Sequence, residues 1–384
     1  MTTTMTAGTG RISESDCNID DFAQLLVQDT DLAAYPFADD TRRGVLFYSA
    51  EAIRSLRDRR EEIADELARA FLDGPGIVVV KGAFGAEHAL AETTALFTRI
   101  IAEQRASGVV AGDHFAKPGA NDRIWNALQK LALTAPELFV RYYANDILAL
   151  VSYAWLGPMY QVTSAINVVN PGGQAQNPHR DYHLGFMSTD TAARFRRHTH
   201  RLSPVLTLQG AVAHVAMPLE SGPTMYLPYS QRYEPGYLAF NLPEFRAYFD
   251  AHHVQLPLTA GDAVFFNPAL FHAAGTNSST DIARMANLLQ VSSPFGRALD
   301  AVDRERIVNA IYPSLQMLDA AAREHVIAAA AEGYAFPSNL DLDQPISGLH
   351  GETQAELVRR ALSAGMSSGE LAAELGALTA RHTA

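Results

Sequence analysis

His179 and Asp181 stand two residues apart in the stretch Asn177-Pro178-His179-Arg180-Asp181-Tyr182-His183. On an extended chain, side chains at i and i+2 share a face. The imidazole and the carboxylate can then grip one metal ion without bending the backbone. Such a pair needs a third donor, and the best candidate is His272, at the end of Phe265-Phe266-Asn267-Pro268-Ala269-Leu270-Phe271-His272. Two imidazoles and one carboxylate on one face of an ion, with the other positions open, suit ferrous iron and oxygen chemistry. Singly each motif is weak, since His-x-Asp recurs by chance and a lone His after an apolar strand is usually a satisfied core residue. Their joint context carries the weight. Pro171-Gly172-Gly173 turns the chain before the first motif, and Gly261-Asp262 turns it before the strand that leads to the second.

Twelve residues beyond His272 lies Arg284, at the head of a second strand-like run. A neighbouring strand would return it to the metal. A guanidinium clamps a carboxylate through two parallel hydrogen bonds. A dicarboxylate such as 2-oxoglutarate has one end to chelate iron and another to meet Arg284.

The elements that must position these groups read as helices, then strands, then helices. Ile53, Leu56, Ile63, Leu67, Ala70 and Phe71 fall on one helical face, which Asp73-Gly74-Pro75-Gly76 ends. Ile77–Lys81 reads as a buried strand. Helical pattern covers 86–104, about 124–133 and 136–155, with a loop predicted over 109–123. After Gly157-Pro158 the pattern turns to strands: 161–170, 205–217, 224–228, 263–267 and 285–292, separated by Gly, Pro and Asn turns. Ser188 to Thr191 offers a cap for a short helix through Arg197. Ala-rich helical pattern resumes over 315–331 and 353–364. The domain reading is an N-terminal arm over 1–45, loose or peripheral; a catalytic domain over 46–300; and a C-terminal helical extension over 301–384, packed on the core.

The chain has 384 residues with 48% hydrophobic content, enough for a large core. A formal charge of −12 argues against general nucleic-acid binding, which needs a basic surface. One cysteine, Cys17, leaves metal ligation to His, Asp and Glu. The Thr- and Gly-rich start lacks the basic and apolar segments of a signal peptide. No apolar run approaches the roughly 20 residues of a membrane span. These features predict a soluble, cytoplasmic protein with no membrane or nucleic-acid partner.

Taken together, the motifs resemble those of the phytanoyl-CoA dioxygenase family of Fe(II)/2-oxoglutarate-dependent oxygenases. The matching segments are His179-Arg180-Asp181-Tyr182-His183, Ser221-Gly222-Pro223-Thr224-Met225-Tyr226-Leu227-Pro228-Tyr229-Ser230, and Gly261 to Pro268 continuing through His272-Ala273-Ala274-Gly275-Thr276-Asn277 to Arg284. The resemblance covers roughly residues 45 to 295. The resemblance implies a mainly β fold, a double-stranded β-helix (jelly roll, cupin-like), flanked by N- and C-terminal helical segments. It implies His179, Asp181 and His272 as the catalytic iron ligands and Arg284 as the residue that holds 2-oxoglutarate. The implied reaction consumes O2 and 2-oxoglutarate, releases succinate and CO2, and hydroxylates or otherwise oxidises an unactivated C–H of a small metabolite, with anionic ones among the candidates. Halogenating relatives have Gly or Ala where Asp181 stands, so hydroxylation is favoured. Departures from the family pattern are Ala273-Ala274 after the distal His, a loop to Arg284 one residue longer, Ser230-Gln231 in place of Ser-His, and the helical tail from about 301. None removes a ligand.

Weaker features each have a bland reading. Arg194, Arg196, Arg197 and Arg201 either form a lid for an anionic substrate or a solvated helix face. Thr207 and Gln209 alternate along a strand and line either the pocket or the core. Lys117 and Arg123 are within reach of a substrate but neither alone is expected to contact it; His183 is a substrate or packing residue, and Arg180 a structural one. The C-terminal helices are a candidate homodimer interface or simple packing. Two rival functions share the scaffold: a non-oxidative metal-dependent enzyme, which has no need of Arg284, and an inactive metabolite-binding protein.

Overall fold

Side-chain alternation along the strands sets the architecture. A computed structural model describes residues 10–108, 119–346 and 348–383. Among them the strands are β1 (Asp40–Arg42), β2 (Val45–Ser49), β3 (Ile77–Lys81), β4 (Asn121–Ile124), β5 (Gln161–Val169), β6 (Thr207–Ala213), β7 (Met225–Leu227), β8 (Val254–Gln255), β9 (Ala263–Phe266), β10 (Phe271–Ala273) and β11 (Arg284–Ser292). The larger sheet runs β1-β2-β3-β9-β6-β11-β5-β4 and the smaller β10-β7-β8. Only β2 and β3 pair in parallel; the other ladders are antiparallel.

On β3 and β9, Ile77, Val79, Val264 and Phe266 face inward and meet Tyr226 and Val254 of the small sheet. Val78, Val80, Ala263 and Phe265 face outward into a core shared with the helices. Strands with apolar side chains on both faces need cover on both. The small sheet covers one face and the helices the other, which is the jelly-roll sandwich with flanking helices that the sequence predicts.

The helix Arg60–Leu72 buries Ile63, Leu67, Ala70 and Phe71 as its periodicity predicts. Asn145 starts Asp146–Leu156 by accepting the Leu148 N–H at 2.8 Å, and its amide donates to the Ala83 carbonyl at 2.8 Å. Two predicted helices differ. Residues 121–124 join the sheet as β4, and the following helix begins at Ala127. The 315–331 pattern begins late, as Ala320–Ala330 capped by Asp319, and a separate helix, Arg304–Leu315, precedes it. Residues 109–118, including Lys117, lie outside the described residues.

The stretch expected as a loose arm is tightly held over much of its length. Its helix Ile19–Leu26 drives Phe22, fully buried, into a cluster with Tyr233, Phe245, Phe249 and Phe271. The C-terminal helices share the outer core through Ile307, Ile311, Val326, Val358 and Leu375. The buried Arg304 guanidinium ties them to the sheet by donating to the carbonyls of Ala329 and, on β5, Val162. No helix among the described residues is long and apolar enough to cross a membrane.

Candidate metal centre

The His179–Asp181 segment is not a strand. Pro171 and Pro178 lack the N–H that a ladder needs, and two glycines follow Pro171. The chain nevertheless runs antiparallel to β10 through scattered backbone bonds. Gln176 N–H donates to Ala274 at 2.9 Å. His179 and His272 exchange both backbone bonds, at 3.0 and 3.2 Å, and form an isolated bridge. Directly opposed residues carry their side chains close together, and the two imidazoles lie 4.5 Å apart, centroid to centroid. Asp181 N–H then donates to Pro268 at 3.0 Å, which turns its carboxylate to the same point.

Each imidazole is fixed by the carbonyl two residues before it. His179 Nδ1 lies 3.0 Å from Asn177 O, and His272 Nδ1 lies 2.8 Å from Leu270 O. A carbonyl only accepts, so both Nδ1 atoms carry the proton and both Nε2 atoms offer a lone pair. His272 Nε2 is 3.3 Å from Asp181 Oδ2, and His179 Nε2 is 3.7 Å from Oδ1. One ligand atom from each of the three residues lies within 4.8 Å of the others. Gln209 on β6 donates its amide to Asp181 Oδ2. Burial pushes the Asp181 carboxyl up. The neighbouring His179 and His272 and the Gln209 bond outweigh it and hold the group well below the usual carboxylate range.

The sandwich fixes this constellation from behind. Arg180, between the two candidate ligands, turns away into the protein and is 1% exposed. Its guanidinium donates to Ser230 and Tyr233 carbonyls at 2.6 and 2.9 Å and lies over the rings of Tyr237 and Phe271. Gly236 allows this approach, because a Cβ there would collide with the guanidinium. The structural reading of Arg180 holds.

Arg284 opens β11 and is buried at 6% exposure, beside Tyr226. Its Nη1 reaches the Ser221 carbonyl at 3.4 Å, and it has no acid partner among the described residues. Burial pushes its pKa down to about 10. Tyr226 links it to the metal cluster: its ring is 5.1 Å from Phe266, which is 4.9 Å from His272. The Ser221-Gly222-Pro223 motif supplies this wall. Gly222 has φ +66° and touches the Thr276 carbonyl so closely that a side chain would clash.

The other sequence candidates divide. Gln209 belongs to the site. Arg197 pairs with Glu234 at 2.6 Å and Asp16 at 3.3 Å, and Arg201 pairs with Glu234 at 2.6 Å. Arg197 thereby fastens the N-terminal segment and Arg201 joins the same acid, while Arg194 and Arg196 are exposed. Arg123 is buried on β4, stacked over Trp125 at 4.8 Å. The inner-face amides Asn121, Asn167 and Gln290 were not singled out from sequence. Their signal is the period-two alternation, which becomes readable only once strand pairing is known.

A jelly roll carrying two imidazoles and a carboxylate at one point defines a class of metal-dependent enzyme scaffolds. The profile of the Phytanoyl-CoA dioxygenase (PhyH) family matches residues 40–286, and the chain belongs to that family. Among solved structures it is similar to the non-heme alpha ketoglutarate dependent epimerase SnoN from nogalamycin biosynthesis, at 20% identity over 61% of this chain and 82% of that one, TM-score 0.42. It is similar also to the carbocyclase SnoK from the same biosynthesis, at 19% identity over 65% and 91%, TM-score 0.43. A third is AviO1 from Streptomyces viridochromogenes Tue57, at 17% identity over 62% and 98%, TM-score 0.44. No curated protein sequence matches.

Proposed function

We propose that this chain is an Fe(II)- and 2-oxoglutarate-dependent oxygenase that hydroxylates a small molecule. The observation that carries the reading is the convergence of His179, Asp181 and His272 ligand atoms within 4.8 Å. Two imidazoles whose Nε2 atoms lie 3.3 and 3.7 Å from the Asp181 oxygens, and that carboxylate, match the donor set of a divalent ion with open positions. The buried Arg284, held by one long bond to a carbonyl, fits the far carboxylate of a dicarboxylic acid.

Iron with 2-oxoglutarate supplies an O2-derived oxidant for C–H bonds, with succinate and CO2 released. The chain's own part is positional. The Asn177 and Leu270 carbonyls keep the Nδ1 protons in place. Gln209 orients one Asp181 oxygen, and a depressed carboxyl pKa keeps Asp181 anionic across physiological pH. Phe266 and Tyr226 stand in contact between the cluster and Arg284 and would shield that path from water. Arg284 also separates this reading from a non-oxidative metal enzyme, which gains nothing from a buried, uncompensated cation.

The test is anaerobic titration with Fe(II) and 2-oxoglutarate, followed by O2. A weak visible charge-transfer band, O2-dependent succinate and a product 16 mass units heavier are expected, that mass being one added oxygen. His179→Ala and Asp181→Ala should each abolish the band and turnover while leaving the circular dichroism spectrum unchanged. Wild-type turnover in either variant refutes the ligand assignment.

A further inference from the structure

The inner face of the large sheet carries more polar atoms than the metal cluster uses. On this face β5 presents Thr163, Ala165 and Asn167; β6 presents Thr207, Gln209, Ala211 and Ala213; β11 presents Arg284, Ala286, Leu288 and Gln290. The outward neighbours Val162, Ile166, Leu208, Val212, Met285, Leu289 and Val291 lie in the helical core, which fixes the assignment. Four buried atoms on the inner face have no hydrogen-bond partner: Asn121 Oδ1, Asn167 Oδ1, Thr207 Oγ1 and Gln290 Oε1. Native proteins rarely leave such atoms unpaired, and each exception needs an explanation. Four on one face of one sheet are best explained by ligands that satisfy them.

Register divides the face into two ends. Arg284 is opposite Val169, and the next inward row sets Arg123, Asn167, Ala286 and Ala213 side by side. Six residues further along β11, roughly 20 Å at strand rise, Gln290 is opposite Thr163 on β5 and Gln209 on β6. Gln209 is in turn opposite Phe266 and bonds Asp181. Between the ends the floor is small: Ala165, Ala211, Ala213 and Ala286, with Leu288. The two inward cations, Arg123 and Arg284, therefore both belong to one end. Gln290, Gln209, Thr207 and the Tyr182 hydroxyl furnish the other. Tyr182 is 4% exposed, and its hydroxyl is turned to Gln209.

We infer that the Gln290 end is the primary-substrate subsite and that it takes a neutral, hydroxyl-rich molecule of the glycoside, cyclitol or nucleoside kind. This rests on the oxygenase reading, which assigns the Arg284 end to 2-oxoglutarate. Amides and hydroxyls both donate and accept, and so does a substrate hydroxyl. An acyl chain would leave Gln290 Oε1 and Thr207 Oγ1 unpaired. A phosphorylated or polycarboxylate substrate would find the inward-facing cations, Arg123 and Arg284, at the other end of the sheet. Gln290 is the specificity-determining residue of the subsite, one strand away from the residue that bonds Asp181.

The experiment is calorimetry on the anaerobic Fe(II)/2-oxoglutarate-loaded protein. The probes are a library of neutral glycosides, cyclitols and nucleosides, with hexadecanoyl-CoA and glucose 6-phosphate as contrasts. At least one neutral hydroxylated probe should bind and raise O2-dependent succinate release. Gln290→Leu should weaken that probe at least about tenfold, the size of one lost uncharged hydrogen bond. Gln290→Asn, which keeps the amide, should recover part of the loss. In both variants the charge-transfer band and its 2-oxoglutarate dependence should match wild type, which also reports that they are folded. Binding confined to the acyl or phosphorylated probe, or absent from every neutral one, overturns the inference. A shifted 2-oxoglutarate affinity in Gln290→Leu overturns it as well, by moving Gln290 to the cosubstrate. A wild-type protein without the band fails the oxygenase reading instead.

Discussion

Arg284 carries a full charge into the interior and finds one carbonyl there at 3.4 Å. A buried cation without an acid partner is expensive to keep, and a dicarboxylate offsets that cost. Removing it should therefore act on cosubstrate binding. Arg284→Leu is expected to lose a charged hydrogen-bonded contact, about 1.5–3 kcal/mol, which raises the 2-oxoglutarate Kd on the order of 10- to 150-fold. Arg284→Lys keeps the charge but not the two-pronged geometry and should fall between. Titration of the charge-transfer band reads both, and an unchanged Kd in Arg284→Leu would remove the clamp from the reading. At this scale the sequence is most legible where residue type alone carries the chemistry. An imidazole, a carboxylate and a guanidinium are rare enough in such spacing to stand out. Gln209 could be read as pocket or core from alternation. Asn167 and Gln290 could not be distinguished from surface amides, because which face they occupy depends on β5 and β11 pairing across more than a hundred residues.

The elements show the same contrast. The strands and the helix Arg60–Leu72 follow from local periodicity, but the segment bearing His179 does not become a strand, because its prolines and glycines break the ladder. It still delivers both side chains, since the bridge to β10 does what a continuous strand would have done. The N-terminal helix Ile19–Leu26 was invisible as a packed element. A short helix gains little from propensity, and its anchor is tertiary. Phe22 packs its ring 5.2 Å from Phe271, 5.1 Å from Tyr233 and 5.1 Å from Phe245. Phe271 precedes His272, so this cluster backs the strand that carries a ligand. Phe22→Ala should cost about 3–5 kcal/mol of stability, seen as a lower urea midpoint with an unchanged slope. A loss under about 1 kcal/mol would mean that the segment does not hold the domain.

For the whole molecule, the helical layer and the sheet are joined by a buried polar chain that permits one protonation state. Asn287 Nδ2 on β11 donates to Tyr142 OH at 3.2 Å, and Tyr142 OH is 3.0 Å from His214 Nε2. His214 Nδ1 is 2.8 Å from Thr94 Oγ1, whose own hydroxyl donates to Leu90 O at 2.7 Å. With the Thr94 proton already committed, His214 must donate from Nδ1 and accept at Nε2, so it is neutral. Burial pushes its pKa down from 6.5 to about 3. A depressed His favours the fold when neutral. Between pH 6.5 and 3 the unfolded chain binds a proton that the folded one refuses, so stability falls as pH falls through that window. The slope is about 1.4 kcal/mol per pH unit for one proton, or roughly 2 kcal/mol between pH 6.5 and 5. Burial also lowers His88 and His325, which add to the same trend. His214→Gln should be less stable at pH 7.5 but lose one proton's share of the decline. Urea midpoints of both proteins at pH 7.5 and 5.0 measure it. An equal decline in the two would show that His214 takes up its proton in the folded state, and that the chain from Asn287 to Leu90 does not select the neutral ring.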